Sequence, residues 1–387
     1  MNLSGFMAKL LDRDGIIWLP LKSVLVRTKG TKITAGQMKV LHKDGAPVKI
    51  FAGGKTVAFV DYGDIPEKDI NTKPSIIVKS RGNIEFEYYD QPFSHKNEMW
   101  SYHSNKKSIN IKYLYHYLKM NQSYFQGIGS KMQMPQIATP DTDNFQVPIP
   151  CPENPEKSLQ IQADIVRILD AFTELTAELT AELTARKQQY SHYQFELLQF
   201  TGTTQYLKIG ECCDIKKGLT PIKKATPGKY PLVATTEERQ SSSEYQFDCT
   251  AVCVPLISSR GHGVASIDRI YFQEGQFALG NILCAIIPND SQVLSAKFLR
   301  YYLFDKKDVL LVPLMRGGAN VSLTVDSLKK VKIPIPPIAD QERIVRILDK
   351  FDELVKGLPR EIELRQKQYK YYRDLLLSFP KPDEQAA

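Results

Sequence analysis

The chain has 387 residues, 42% of them hydrophobic, and its 51 Lys and Arg against 43 Asp and Glu give a net charge of +8. That length exceeds one ordinary domain, and that composition excludes a chain that is disordered throughout. No run of 18 apolar residues is present to span a membrane, and Asp12, Arg13 and Asp14 interrupt the first apolar run, so the N-terminus does not read as a signal peptide.

Taken in chain order, residues 1–150 read as α+β. Short β-like runs (VKIF, TVAFV, SIIVKS, IEFEYY) alternate with Gly- and Asp-bearing turns, and a helical IKYLYHYL (Ile111–Leu118) follows. VPIP at Val147–Pro150 is extended, because proline fixes φ and biases the residue before it. Residues 151–200 read as one long helix. Apolar side chains recur every three or four residues from Ile161 through Ile165, Ile168, Phe172, Leu175, Leu179 and Leu183, with a stutter inside the tandem TAEL-TAEL (Thr176–Leu183). Residues 201–336 return to α+β, with AVCVPLIS, ASIDRIYF and LGNILCAIIP, then AKFLRYYL (Ala296–Leu303) and IPIP (Ile333–Pro336). Residues 337–387 form a second helix with the seam Ile344, Ile347, Phe351, Leu354, Leu358, Ile362, Tyr369, Tyr372, and Pro359 is expected to break or kink it.

The second half repeats the first. Residues 162–200 align without a gap on 341–379, and 19 of 39 positions are identical, including IVRILD-x-F-x-EL in both copies. A period near 180 residues means duplicated domains, not a solenoid. A helix of 39 residues is about 58 Å long and needs a partner for its seam, and its own duplicate is the natural one, paired antiparallel. The charge divides along the same lines: net +7 in residues 1–150 and +5 in 201–336, against −4 in 151–200 and zero in 337–387. The basic excess therefore sits on the globular segments, as expected for a polyanion partner, and the helices suit protein contacts.

Lys and Arg hold phosphates, and Arg, Lys, Asn, Gln and Ser reach base edges. On that ground the candidate readers of nucleic acid are Lys29, Lys32, Lys79, Arg81, Lys96, Lys106, Lys107 and Lys131 in the first segment. In the second they are Lys216, Lys217, Lys223, Lys224, Arg260, His262, Arg316 and Asn320. The aromatic residues Trp100, Tyr88 and Tyr89 read as core rather than base-stacking platforms. The six cysteines lack the two close pairs that a zinc site wants and read as buried free thiols in a reducing, cytoplasmic setting. No phosphate-binding GxxxxGK[ST], no GxSxG and no HExxH is present, and Asn154-Pro155 continues with Glu156 instead of the second proline of an amino-methylating motif.

PIPPIADQERIVRILDKFDEL (Pro334–Leu354), RGGANVSLTVDSLKKVKIPIP (Arg316–Pro336), the TAEL tandem and LPREIELRQKQYKYYRDLLLSFPKP together resemble type I restriction–modification specificity subunits of the TAEL-repeat subgroup. The resemblance is specific in the helical regions and weak in the globular ones; Gly129–Pro140 departs most from the Gly-Gly-Ala-Asn run of the second copy. It implies an α+β fold of two pseudo-symmetric target-recognition domains (1–150 and 201–336) joined by two long antiparallel helices (151–200 and 337–387). It implies a non-catalytic chain without a cofactor of its own. Its partners would be double-stranded DNA, two methyltransferase subunits carrying S-adenosylmethionine, and restriction/translocase subunits using ATP and Mg. The helical seam, with Ile165, Ile168, Phe172, Leu175, Leu179, Leu183, Ile344, Ile347, Phe351, Leu354, Tyr369 and Tyr372, would form the spacer and subunit interface. Two other readings stand beside it: a coiled-coil assembly protein whose basic lobes hold RNA or protein, and a self-contained methyltransferase or nuclease.

Overall fold

The computed structural model describes residues 15–130, 133–236, 240–259, 267–317 and 320–380. The chain divides into two compact units, residues 1–179 with 361–387 and residues 180–360. Each unit thus combines one globular segment with half of each long helix.

In the first unit, β1 (Ile16–Pro20) pairs antiparallel with β9 (Gln146–Pro150), which is the VPIP segment. Two prolines fit there because a two-stranded ribbon leaves each strand an outward edge that needs no N–H donor. The central sheet has the order β2 (Val26–Lys29), β8 (Trp100–His103), β5 (Ser75–Lys79), β6 (Glu85–Tyr89), all antiparallel. Every residue of β5 is buried, so its near-continuous apolar run marks the middle of the core. A smaller sheet is ordered β4 (Val57–Val60), β3 (Val48–Phe51), β7 (Phe93–His95), and its β3–β7 pair is parallel.

The second unit repeats this plan. The ribbon is β10 (Gln205–Lys208) with β22 (Lys332–Ile335), again on the proline segment. The central sheet is β11 (Cys213–Lys217), β19 (Leu283–Pro288), β15 (Ala251–Pro255), β17 (Tyr271–Gln273). The smaller sheet is β13 (Gln240–Ser242), β12 (Tyr230–Val233), β18 (Gln276–Leu279), β14 (Phe247–Asp248), and its β12–β18 pair is parallel. One three-stranded sheet, β16 (Ile257–Ser259), β21 (Asn320–Ser322), β20 (Arg316–Gly317), has no counterpart among the described residues of the first unit. An isolated bridge between Arg81 and Gln136 takes its place there. Of the described part of ASIDRIYF, from Ile267 on, only the end becomes strand.

Helix α1 (Ile111–Met120) in the first unit and α2 (Ala296–Asp305) in the second cover their sheets with matching buried faces: Tyr113, Leu114, Tyr117 and Leu118 against Phe298, Leu299, Tyr302 and Leu303. The long helices are α3 (Pro155–Leu197) and α4 (Ile338–Leu377). Pro359 lies inside α4 and does not end it. Its missing donor and its ring are tolerated because the position is exposed and the flanking seam residues still pack. No described helix is long and apolar enough to cross a membrane.

Within each unit the long helices meet antiparallel. In the first, Phe172 stacks on Tyr372 with centroids 5.3 Å apart, while Ile165 and Leu169 share a core with Leu376, Leu377 and Phe379. In the second, Phe351 is stacked by Tyr193 at 5.3 Å and Tyr190 at 6.1 Å, and Leu198 shares a core with Ile344 and Leu348. Phe172 with Tyr372 and Phe351 with Tyr193 are the same contact made by the two copies of the repeat. Ile168, Leu175, Leu179, Leu183, Ile347 and Tyr369 are half-buried along the seam. Leu354 departs from the expectation: it is 45% exposed, since a seam turn covered by one neighbouring helix leaves part of its stripe in solvent.

Candidate nucleic-acid interface

Each globular segment is fastened to its long helix by a buried glutamine of the repeat. Gln162 accepts the Asn110 N–H at 2.9 Å and donates to the Ser108 carbonyl at 3.1 Å. Gln341 accepts the Ser295 N–H at 2.9 Å and donates to the Val293 carbonyl at 2.9 Å. A second fastening is made by the aspartate of IVRILD. Asp170 takes Lys112 at 2.8 Å and His116 at 2.9 Å; Asp349 takes Lys297 at 3.2 Å and the Tyr301 hydroxyl at 2.7 Å. Burial pushes the Asp170 carboxyl up, but the His116 and Lys112 hydrogen bonds outweigh it and hold the group below its ordinary value. Both residues were visible as identities between the copies; what they bind was not.

The register of the central sheets decides which basic residues share a surface. Lys29 faces Trp100, and Trp100 faces Val78, so the ends of β2 and β5 leave the sheet on the same side. Lys29, Lys32 and Arg81 are exposed there. A parallel bridge from Thr31 to Lys96 brings the Lys29–Lys32 loop beside the His95–Asn97 turn. The Arg81–Gln136 bridge brings the Lys79–Asn83 loop beside the segment that follows Gly129. The second unit repeats the arrangement: Lys217 faces Cys284, Cys284 faces Val254, and β15 runs on toward β16 at that same end. Lys216, Lys217, Lys224 and Arg316 are exposed; Ser258 and Ser259 pair with Val321 and Asn320, and Arg316 pairs with Ser322, which joins β16, β21 and β20 in one small sheet.

The structure removes three candidates from this surface. Lys79 is buried, with Glu87 at 2.7 Å and Glu85 at 3.6 Å, because the alternation of β5 turns its side chain inward against β6. Lys106 and Lys107 follow β8, whose antiparallel register carries them to the opposite end of the sheet. There the Lys106 ammonium donates to the Ser23 carbonyl at 2.6 Å. Lys96 stays at the loop end but is half-buried and bound to Glu98 at 2.6 Å; burial pushes the Glu98 carboxyl up, and the Lys96 hydrogen bond brings it below its usual range. Lys131, Arg260 and His262 lie outside the described residues, as do the side chains of Lys223 and Asn320. Trp100 is core, donating to Thr142 at 3.1 Å. Tyr88 and Tyr89 are half-buried beside Lys112 and Lys49, respectively. The cysteines are free thiols, all buried except the half-buried Cys249.

A buried polar chain backs the loop end of the first unit. His95 meets Ser101 Oγ through Nε2 at 3.2 Å and the Lys96 carbonyl through Nδ1 at 3.1 Å, and Ser101 Oγ is in turn hydrogen-bonded to Thr28 Oγ1. Burial holds the His95 imidazole below its ordinary pKa, so it stays neutral. Gly30 closes against this turn: a Cβ there would stand 2.1 Å from the His95 carbonyl oxygen. Gly218 repeats the close approach, 2.2 Å from the Gly280 carbonyl oxygen.

Residues 47–186 and 202–364 each match the family described as type I restriction modification DNA specificity domain. The chain is 33% identical to the type I restriction enzyme EcoR124I/EcoR124II specificity subunit of Escherichia coli, over 99% of both chains. It is 30% identical to a putative type I restriction enzyme specificity subunit of Haemophilus influenzae, over 98% of this chain and 99% of that one. Among solved structures, the S subunit of a type I restriction-modification system from M. genitalium superposes with a TM-score of 0.67 at 15% identity, covering 96% of this chain and 98% of that one. Two family matches fall on the two copies of the repeat, each holding a basic loop surface on a duplicated scaffold, and the chain belongs to the type I restriction–modification DNA specificity subunits, the non-catalytic sequence-recognition members of those enzymes.

Proposed function

We propose that each globular segment, 1–150 and 201–336, reads one half of a bipartite, asymmetric DNA site through the loop end of its central sheet, and that the two long helices set the spacing of the halves and dock two methyltransferase subunits. The observation that carries this reading is the doubled architecture. Two copies of one sheet-and-helix plan present basic loops at the same end of the sheet, yet those loops differ in sequence and, in β16, β20 and β21, in structure. One frame with two different loop sets is what two different half-sites require. S-adenosylmethionine would belong to the methyltransferase partners, and ATP and Mg to restriction/translocase partners; flipping of the target adenine would be the methyltransferase's work. The setting would be the bacterial or archaeal cytoplasm.

Methylome sequencing of cells expressing this chain with its cognate methyltransferase subunit tests the reading directly. A split motif with an invariant gap supports it, and a continuous motif refutes it. An added TAEL unit after Leu183 extends a helix by about 6 Å, close to two base-pair steps. Both half-motifs should persist while the gap grows; an unchanged gap rejects the spacer role. Retention of single-stranded RNA in preference to the mapped duplex would favour the assembly-protein reading instead.

A further inference from the structure

The two Lys–Gly crossovers differ by one residue, and that residue is apolar. In the first unit Lys29-Gly30 is followed at once by Thr31, whose N–H donates to the His95 carbonyl at 2.8 Å and which bridges in parallel to Lys96. In the second unit Lys217-Gly218 is followed by Leu219 and only then by Thr220, whose N–H donates to the Leu279 carbonyl at 3.1 Å and which bridges in parallel to Gly280. Both glycines are pinned by the same close approach of a carbonyl, so the extra residue cannot be absorbed and is extruded. Leu219 is 73% exposed.

The loop that extrudes it is held rigidly. The Gln246 carboxamide accepts the Leu219 N–H at 2.9 Å and donates to the Lys217 carbonyl at 2.8 Å, and the Gln246 N–H donates to the Phe277 carbonyl at 2.9 Å. A buttressed backbone presenting a bare leucine gains little for the fold, since the side chain buries only a small part of its surface. Within five residues of it along the chain stand the exposed lysines Lys216, Lys217 and Lys224. That positive charge fits a polyanion partner. On duplex DNA the base-edge group that rewards an apolar side chain is the thymine 5-methyl in the major groove.

We infer that Leu219 is a specificity-determining residue of the second recognition domain, contacting the 5-methyl of one thymine while the flanking lysines hold phosphates. This rests on the reading that the loop end of that domain faces DNA. The test uses the chain assembled with its methyltransferase subunits and a duplex carrying the mapped site. Each thymine of the second half-site is replaced in turn by deoxyuridine, which lacks only the methyl. One replacement should weaken binding by the wild-type assembly about three- to fivefold, the worth of one buried methyl. The same replacement should leave the Leu219→Ala assembly unchanged, and that variant should bind the unmodified site as the wild type binds the deoxyuridine one. If no position distinguishes wild type from Leu219→Ala, the inference is overturned. A Lys216→Ala/Lys217→Ala/Lys224→Ala variant separates the two levels. It should lower affinity for all sequences and flatten the salt dependence, by about 0.9 in log–log slope for each phosphate that is no longer neutralised. If it changes neither, the DNA-facing assignment of this loop end fails as well.

Discussion

Replacing Gln162 by methionine should loosen the first unit at the junction between its globular segment and α3, and Gln341→Met should do the same in the second unit. Methionine keeps the length and most of the volume of glutamine, so packing is nearly conserved and the hydrogen bonds are removed. Gln162 is fully buried and serves the Asn110 N–H, the Ser108 carbonyl and Ser158 Oγ at 2.9, 3.1 and 3.0 Å. The serine hydroxyl can turn to another acceptor, and the two backbone groups cannot. Each orphaned backbone group costs about 1–3 kcal/mol when buried, and both are only half-buried here, so the expected loss is about 2–3 kcal/mol. Gln341 serves the Ser295 N–H, the Val293 carbonyl and the Pro336 carbonyl at 2.9, 2.9 and 2.8 Å and predicts a similar loss. Urea unfolding gives the magnitude, and amide hydrogen exchange gives the place. Gln162→Met should accelerate exchange at Asn110 and leave Ser295 protected, and Gln341→Met should do the reverse. A loss below about 0.5 kcal/mol with unchanged protection would refute the reasoning, because it would mean the orphaned groups find water at no cost.

Gly30→Ala and Gly218→Ala should each destabilise by about 1–3 kcal/mol or more, since the added Cβ meets backbone carbonyls that cannot swing aside, whereas Gly63→Ala, with open space around it, should stay within about 0.5 kcal/mol in thermal or urea melts. Gly357→Ala in the exposed interior of α4 should stabilise by about 0.8–1 kcal/mol, and Pro359→Ala should also stabilise, both measured by helix melting; a loss of stability in either would show that the position needs its special backbone. His95 is held neutral with its pKa below the ordinary 6.5, so the unfolded chain takes up its proton first as pH falls. Its contribution is complete above about pH 6.5 and is lost at up to about 1.4 kcal/mol per pH unit below that, as pH falls toward the folded-state pKa. The stability gap between wild type and His95→Gln should therefore shrink between pH 7.5 and 5.5, and a gap independent of pH would contradict the buried, neutral assignment.

Much of the architecture is legible in the residues themselves. The repeat at a constant offset announces the duplication, the three-and-four spacing announces the helices, and the identity of IVRILD in both copies marks the residues that fasten globular segment to helix. These are local or self-referential signals: periodicity follows from helix geometry, and a duplicated sequence must satisfy the same contacts twice. Pro359 shows the limit of a local rule, since α4 runs through it with the half-buried seam residues Leu358 and Ile362 on either side.

The interface is different, because a basic residue looks the same in sequence wherever its strand ends. Lys79, Arg81 and Lys106 read alike, yet one is sealed against Glu85 and Glu87, one is exposed at the loop end, and one is carried to the far end of the sheet. Strand order and register make that division, and both arise from pairing between residues as far apart in the chain as Val26 and His103. Leu219 could not be singled out at all from composition. Only the pairing shows that a crowded glycine and a bridging threonine recur in both units and that the second unit has one residue more between them, which is exposed. Composition and pattern thus determine that the chain is doubled and helical between basic domains; tertiary pairing alone decides which basic side chains share the loop end of each sheet, because it brings together residues whose neighbourhood the chain order does not encode.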